Sequence, residues 1–96
     1  MAIQSFSDRD TESAYLDGEV SRRCPWKSLL DIVCRKLDML EAAQDIIDLR
    51  TPPSNKLEVL KGKLKGLHSI RVNRRWRIVF RWSDEGPEHV RVLDYH

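Results

Sequence analysis

Two hydrophobic periods divide the chain into a helical first half and a β-rich second half. Apolar residues recur at offsets of three and four between Trp26 and Leu40, which is the stripe of a helix that buries one face. Between Trp76 and Trp82, large apolar side chains take every second position, which is the period of a half-buried strand. The pattern therefore predicts helices that pack on a sheet.

Helix-ending signals subdivide the first half. Ser7 or Asp8 caps a predicted short helix that Asp17-Gly18 ends. The main helix is predicted to begin at Pro25, because proline suits a first turn, and to continue with a bend to about residue 49. Thr51-Pro52-Pro53 then stops it, because proline offers no N–H and disfavours a helical residue before it. The alternating segment 3–6 predicts an edge or first strand.

The second half predicts an antiparallel meander of strands over 68–73, 76–82 and 89–95, with a short apolar segment at 57–60. One face of the central strand is apolar, with Trp76, Ile78, Phe80 and Trp82. The other face carries Arg77, Val79 and Arg81. We therefore predict an α+β fold, a small antiparallel β-sheet with the N-terminal helices packed on the apolar face. That packing leaves the arginines on the side away from the helices.

Charge adds an asymmetry that the totals hide. The formal net charge is only +2. Residues 1–48 hold six Lys/Arg against ten Asp/Glu, whereas residues 49–96 hold eleven against five. A basic second half indicates a polyanionic or acidic partner. Long cationic side chains that merely solvate a sheet face explain the same numbers equally well.

Several classes of protein are disfavoured by the sequence. No apolar run approaches the roughly 20 residues that span a bilayer, and the first residues lack the features of a signal peptide, so we expect a cytoplasmic protein with no membrane contact. Cys24 and Cys34 lack a zinc-ligand spacing and are expected to be free thiols. The basic loop 61–66 departs from the nucleotide P-loop pattern. The length of the chain, 96 residues, indicates one domain.

The second half carries the groups that RNA cleavage through the 2′-OH requires. Such cleavage needs a base, an acid for the 5′-oxygen, and cations for the charge that develops on the phosphate. The candidate cations are Lys61, Arg71 and Arg77. The candidates for proton transfer are Asp94, Tyr95 and His96, of which histidine has an unperturbed pKa close to neutral. Each also has a structural reading, since strand arginines are often solvated, tyrosines pack, and chain ends fray.

Taken together, Leu60-Lys61-Gly62, Ser69-Ile70-Arg71-Val72-Asn73, Trp76-Arg77 and the closing Asp94-Tyr95-His96 resemble HigB-type toxins of the RelE/ParE superfamily. The resemblance covers the chain, so we expect residues 1–96 to form a single RelE-like toxin domain. It implies a ribosome-dependent mRNA endonuclease that cuts in the 30S A site without metal or other cofactor. It also implies a HigA-type helix-turn-helix antitoxin, which would carry the pair to operator DNA.

The resemblance also assigns roles to residues. The catalytic group that it implies comprises Lys61, Arg77, Asp94, Tyr95 and His96. Arg71, Asn73, Lys63, Lys65, Arg74 and Arg75 are expected to bind RNA. Two positions depart from the pattern of some members, which carry histidine at Glu58 and arginine at Asn73, although Arg71 could supply the missing charge.

Two other functions stay open. One is a non-catalytic inhibitor of the ParE type that targets DNA gyrase, against which Lys61, Arg77 and the closing Asp-Tyr-His argue. The other is an attenuated toxin that acts as co-repressor with its antitoxin, because the residues at positions 58 and 73 differ from those of active members.

Overall fold

The computed structural model describes residues 1–94, in which helices cover one face of an antiparallel sheet. The helices are α1 (Arg9–Asp17) and α2 (Leu30–Ala42). The strands are β1 (Glu58–Val59), β2 (His68–Arg71), β3 (Trp76–Ser83) and β4 (Gly86–Asp94). They pair in the order β1-β2-β3-β4. Short 3-10 helices over Lys27–Leu29, Ile46–Arg50, Pro53–Asn55 and Gly62–Leu64 fill the connections. The predicted α+β class is confirmed.

Helix α1 has the ends that the sequence predicts. The Asp8 side chain accepts a hydrogen bond from the Thr11 N–H at 2.8 Å, which satisfies a backbone donor of the first turn. Gly18 ends the helix with φ of +69°, a left-handed conformation that glycine adopts without strain.

The main helix is shorter at both ends than predicted. A 3-10 turn precedes it, so that α2 begins only at Leu30, and it ends at Ala42. The break follows from Asp45 and Asp48, which form a capping box and start a separate 3-10 helix over Ile46–Arg50. The apolar pattern continues through the break because both helices bury residues in the same core.

The first segment of the chain pairs with the sheet without becoming a full strand. Phe6 forms a parallel bridge with Val90 on the outer edge of β4. The Ser7 N–H donates to Val90 O at 2.9 Å, and the Val90 N–H donates to Ser5 O at 3.0 Å. The β3–β4 register shifts by one residue between Val79 and Arg81, where His89 takes φ of +54°. This bulge lets the first segment cover an edge that would otherwise be open.

The core lies between α2 and the predicted apolar face of the sheet. Val33, Leu37 and Leu40 of the helix stripe are fully buried. They join a cluster with Ile70, Ile78 and Phe80 of the sheet. Trp76 and Trp82 pack against this cluster half-buried. The predicted packing of the helix stripe on this face is confirmed.

Polar side chains fix α1 in this layer. The Tyr15 hydroxyl donates to the Glu41 carboxylate of α2 at 2.5 Å. That bond is the main reason that the pKa of Tyr15 rises from 10.0 to about 12. The buried Thr11 hydroxyl oxygen accepts from the Val92 N–H of β4 at 3.0 Å. Within residues 1–94, no helix is long and apolar enough to cross a membrane.

Candidate functional site

The second face of the sheet is not the open arginine face that the alternation predicted. Arg77 is only 7% exposed, and Val79 and Ser69 on the same face are also buried. Arg81 does point to solvent, with a side chain 61% exposed that pairs with Glu88 at 3.2 Å. The two arginines of this face therefore differ, because the chain covers Arg77 and leaves Arg81 in solvent.

The Arg77 guanidinium is held by groups from two other segments. Its Nε donates to the Ser69 hydroxyl oxygen of β2 at 2.6 Å. Its Nη2 donates to the Lys56 carbonyl at 2.6 Å and, more weakly, to the Ser69 carbonyl at 3.4 Å. These bonds hold the planar guanidinium in one orientation.

The buried polar pair Lys36 and Asn55 lies next to Lys56 in the fold. Lys36 is 5% exposed, and its Nζ donates to the side-chain oxygen of the fully buried Asn55. Burial, followed by repulsion from Arg35, lowers the pKa of Lys36. The apolar stripe of the sequence does not include Lys36, because only apolar residues were used to define it. Lys36 lies three residues after Val33 and four before Leu40, so the helical period places it beside buried positions of α2 although its side chain is charged.

Asn55 also fixes the segment that leads to Arg77. Its Nδ2 donates to Leu49 O at 3.1 Å and to Thr51 O at 3.4 Å, both in the preceding turn. The next residue, Lys56, has φ of +45°, which closes the turn. The contacts from Lys36 through Asn55 therefore fix the backbone next to Lys56, whose carbonyl accepts from the Arg77 guanidinium.

Glu58 lies beside Arg77, and the sequence treated it only as a departure from a pattern. It pairs with Ser69 in the β1–β2 register, which brings its side chain to the face of Arg77. Its Oε1 lies 4.0 Å from Arg77 Nη1, and its side chain is 50% exposed. An exposed carboxylate next to a buried guanidinium is a candidate acid/base group. The sequence alone does not reveal that Glu58 and Arg77 are neighbours, because this follows from the register of β1, a strand of only two residues.

The predicted lysines lie at the other end of β2. Lys61 is exposed and follows the β1–β2 ladder, where the Leu60 N–H donates to Leu67 O at 2.9 Å. Arg77 pairs instead with Arg71, at the far end of the strand. The four residues of β2 span roughly 10 Å, at about 3.3 Å per residue. Lys63 and Lys65 are exposed in the same turn as Lys61.

The Asn73 side chain shapes the β2–β3 turn. Asn73 Oδ1 accepts from the backbone N–H groups of Arg75 and Trp76, at 2.9 and 2.8 Å. Arg75 lies over the Trp76 ring at 5.3 Å, and its Nε donates to Asp94 at 2.8 Å. Asp94 is the cross-strand partner of Trp76, so its side chain lies on the face opposite Arg77. Tyr95 and His96 lie outside the described residues, and their roles remain predictions.

Arg71 and Arg74 line a cleft of about 340 Å³ next to Arg77. Lys36, Lys56 and Arg35 line the same cleft. Of these five cations, the sequence had proposed only the two arginines of the second half as RNA-binding residues. In the described part of the chain, no group of three or more His, Cys, Asp or Glu side chains is placed to hold a metal ion. Both cysteines are free thiols, as predicted.

Comparison with known proteins gives a consistent family. Residues 4–96 match the family model described as a RelE-like toxin of type II toxin-antitoxin system HigB. Toxin HigB-1 of Vibrio cholerae serotype O1 is 45% identical over 96 residues, which cover 100% of this chain and 98% of that protein. An uncharacterized protein of Haemophilus influenzae is 36% identical over 93 residues. These residues cover 97% of this chain and 90% of that protein.

A solved structure shares the fold. The YoeB-YefM complex from Staphylococcus aureus contains a chain that matches with a TM-score of 0.59 at 18% identity. The match covers 100% of this chain and 99% of that chain. At this identity, the likeness supports the arrangement of helices and sheet, and leaves residue roles to the geometry above.

Replacement of Asn55 by alanine should destabilise the protein by about 2–4 kcal/mol, because the Lys36 ammonium loses its buried acceptor and two backbone carbonyls lose a donor. Urea unfolding at pH 7 measures the change. Ser54→Ala is the matched control, since Ser54 is the exposed neighbour and its loss should change stability by less than about 0.5 kcal/mol. Equal stability of the two variants would show that the Lys36–Asn55 contact does not support the site.

Proposed function

The chain belongs to the HigB-like family of RelE-like toxins of type II toxin-antitoxin systems, and we propose that it is a ribosome-dependent mRNA endonuclease. The observation that carries this proposal is the pairing of Glu58 with Arg77 on a face whose guanidinium is already oriented. The two groups are a base and a cation, and they lie 4.0 Å apart. A 2′-hydroxyl that attacks its own phosphate needs a base to take its proton and a cation to stabilise the phosphate charge.

In the proposed reaction, the Glu58 carboxylate takes the proton of the 2′-hydroxyl. The 2′-oxygen then attacks the adjacent phosphorus, and the bond between phosphorus and the 5′-oxygen breaks. The leaving 5′-oxygen receives a proton from an acid, for which His96 remains the candidate. The products are a 2′,3′-cyclic phosphate and a 5′-hydroxyl, so that the reaction needs neither metal nor added water.

Arg77 has the role of stabilising the charge that grows on the phosphate oxygens. Its orientation is set before substrate arrives, which is where electrostatic catalysis gains most. Ser69 and the Lys56 carbonyl act as positioning groups, because they contact the guanidinium rather than the substrate. Lys61, Lys63 and Lys65 extend positive charge along the direction that the RNA strand would follow, and Tyr95 would stack on a base.

Membership of the family supports a proposal about the partners. We propose that a HigA-type helix-turn-helix antitoxin binds the protein, and that the complex contacts operator DNA. The substrate is mRNA in the A site of the 30S subunit, which places the protein in the cytoplasm. In support, the neighbour in Staphylococcus aureus was solved as a YoeB-YefM complex. Residues 1–96 would act as one toxin domain.

Inhibition of DNA gyrase without RNA cleavage is the competing proposal. A gyrase inhibitor needs a docking surface and has no use for a carboxylate held beside an oriented guanidinium. A co-repressor without activity would likewise not need that pair. The Glu58–Arg77 geometry therefore favours the nuclease over both.

Arg77→Ala should lower mRNA cleavage by about 100-fold or more, the usual effect of removing one preorganised charge donor. Primer extension on mRNA from cells that express the protein measures the cleavage. Arg81→Ala is the matched control, because Arg81 lies on the same strand but points to solvent, and it should cleave normally. Cleavage by Arg77→Ala at the control rate would contradict the site. Gyrase inhibition in a supercoiling assay, with no cleavage by the unmodified protein, would support the competing function.

Glu58→Gln should lower the cleavage rate by roughly 100- to 10,000-fold, because glutamine keeps the shape of the side chain but cannot accept the 2′-hydroxyl proton. Its side chain is half-exposed, so that the melting temperature should stay unchanged. Glu85→Gln, in the exposed β3–β4 turn, is the control for loss of one negative charge. A Glu58→Gln protein that cleaves at the rate of the control would assign the base to another group.

A further inference from the structure

The cleft beside Arg77 is lined by cations from both halves of the chain. Arg35 and Lys36 come from α2, Lys56 from the segment before β1, Arg71 from the end of β2, and Arg74 from the following turn. Its other lining residues, which include Asn73 and Ser54, carry no charge. Within residues 1–94, no Asp or Glu side chain lines it. A hollow with five positive charges and no acid attracts an anion.

The cleft brings positive charges close together. Lys36 lies buried among its neighbours, and burial lowers the pKa of its ammonium, as does the nearby Arg35. Like charges that share one hollow repel one another, and water only partly screens them there. A bound anion relieves that repulsion. Ser54 and Asn73 add polar groups at the rim.

The cleft adjoins the proposed reaction site directly. Arg71 and Arg77 are cross-strand partners, so their Cβ atoms lie about 5 Å apart on the same face. Lys56 also belongs to both the reaction site and the cleft. Its backbone carbonyl accepts a hydrogen bond from Arg77, and the residue lines the cleft. The cleft volume of about 340 Å³ is near the lower end of the roughly 300–1,000 Å³ typical of small-molecule sites. It therefore accepts a group about the size of one nucleotide.

We propose that this cleft binds the phosphate of a nucleotide next to the scissile bond in a single RNA strand. The inference rests on the proposed nuclease function and adds a substrate subsite to it. Arg35, Arg71 and Arg74 would contact phosphate oxygens, and Lys36 would supply charge from below. Arg35, which lies in the acidic half of the chain, thus becomes a substrate-binding residue.

The test is the salt dependence of RNA binding by the full-length protein. The probe is a fluorescein-labelled, single-stranded RNA oligonucleotide whose 2′-hydroxyls are all methylated, so that it can bind but has no free 2′-hydroxyl for cleavage. Fluorescence anisotropy gives the affinity between about 50 and 200 mM KCl. The variant is Arg35→Gln with Arg74→Gln, both exposed in the structure and hence dispensable for folding. Its slope of log K against log salt should be less negative by about 0.7, the value for one lost phosphate contact on a single strand.

The corresponding loss of affinity is about fivefold at 0.1 M salt. The control is Arg9→Gln with Arg22→Gln, which removes the same charge from exposed positions outside the cleft. It should keep the slope of the unmodified protein. Equal slopes for the two double variants would overturn the proposal. A cleft variant that keeps its slope but loses affinity for the antitoxin would overturn it too, and would assign the cleft to an acidic protein segment.

Failure of this inference can be separated from failure of the proposed function. The slope is measured without the ribosome and without cleavage, whereas the function is measured by primer extension. An active nuclease whose cleft variant keeps the normal slope refutes the subsite alone. An unmodified protein that cuts no mRNA, but whose cleft variant loses 0.7 of slope, refutes the reaction and supports the cleft as an RNA-phosphate site.

Discussion

Burial of the Arg77 guanidinium is the constraint on which the rest of the site depends. A buried cation must have its N–H groups satisfied, because an unpaired charge in the interior is strongly destabilising. The chain meets this demand with the Ser69 hydroxyl on one side and the Lys56 carbonyl on the other. Lys56 in turn depends on Asn55, which is fixed by Lys36 of the main helix. The helical layer and the second face of the sheet are thereby connected through one line of polar contacts.

Fold class and core could be predicted from the sequence because they follow from periodicity. The stripe of α2 and the apolar side chains of β3 meet as the pattern indicates. The end of α2 at residue 42 was harder to predict. The Asp45–Asp48 capping box starts a new helix there, while the apolar pattern of the sequence continues. The site was predicted only in part. Arg77 was found by resemblance, but its burial depends on a segment that alternation along one strand does not describe.

The missed residues share a physical reason. Glu58 lies in a strand of two residues, which is too short to show a period, and only its register with Ser69 brings it to Arg77. Lys36 is buried because Asn55, which is far along the chain, offers an acceptor. Charge counted by halves was also misleading: the acidic half contributes Arg35 and Lys36 to the cationic cleft. Each of these features depends on contacts between distant segments, which local pattern cannot predict.

The central claim is that Arg77 is held in its working orientation before any substrate binds. Hydrogen exchange of the Arg77 Nε–H, followed by NMR on the free protein, tests it most directly, because this proton donates to Ser69 Oγ at 2.6 Å. The account predicts exchange slower, by roughly an order of magnitude or more, than at the exposed Arg74, with the difference lost in Ser69→Ala. Exchange at Arg77 as fast as at Arg74 would contradict the account.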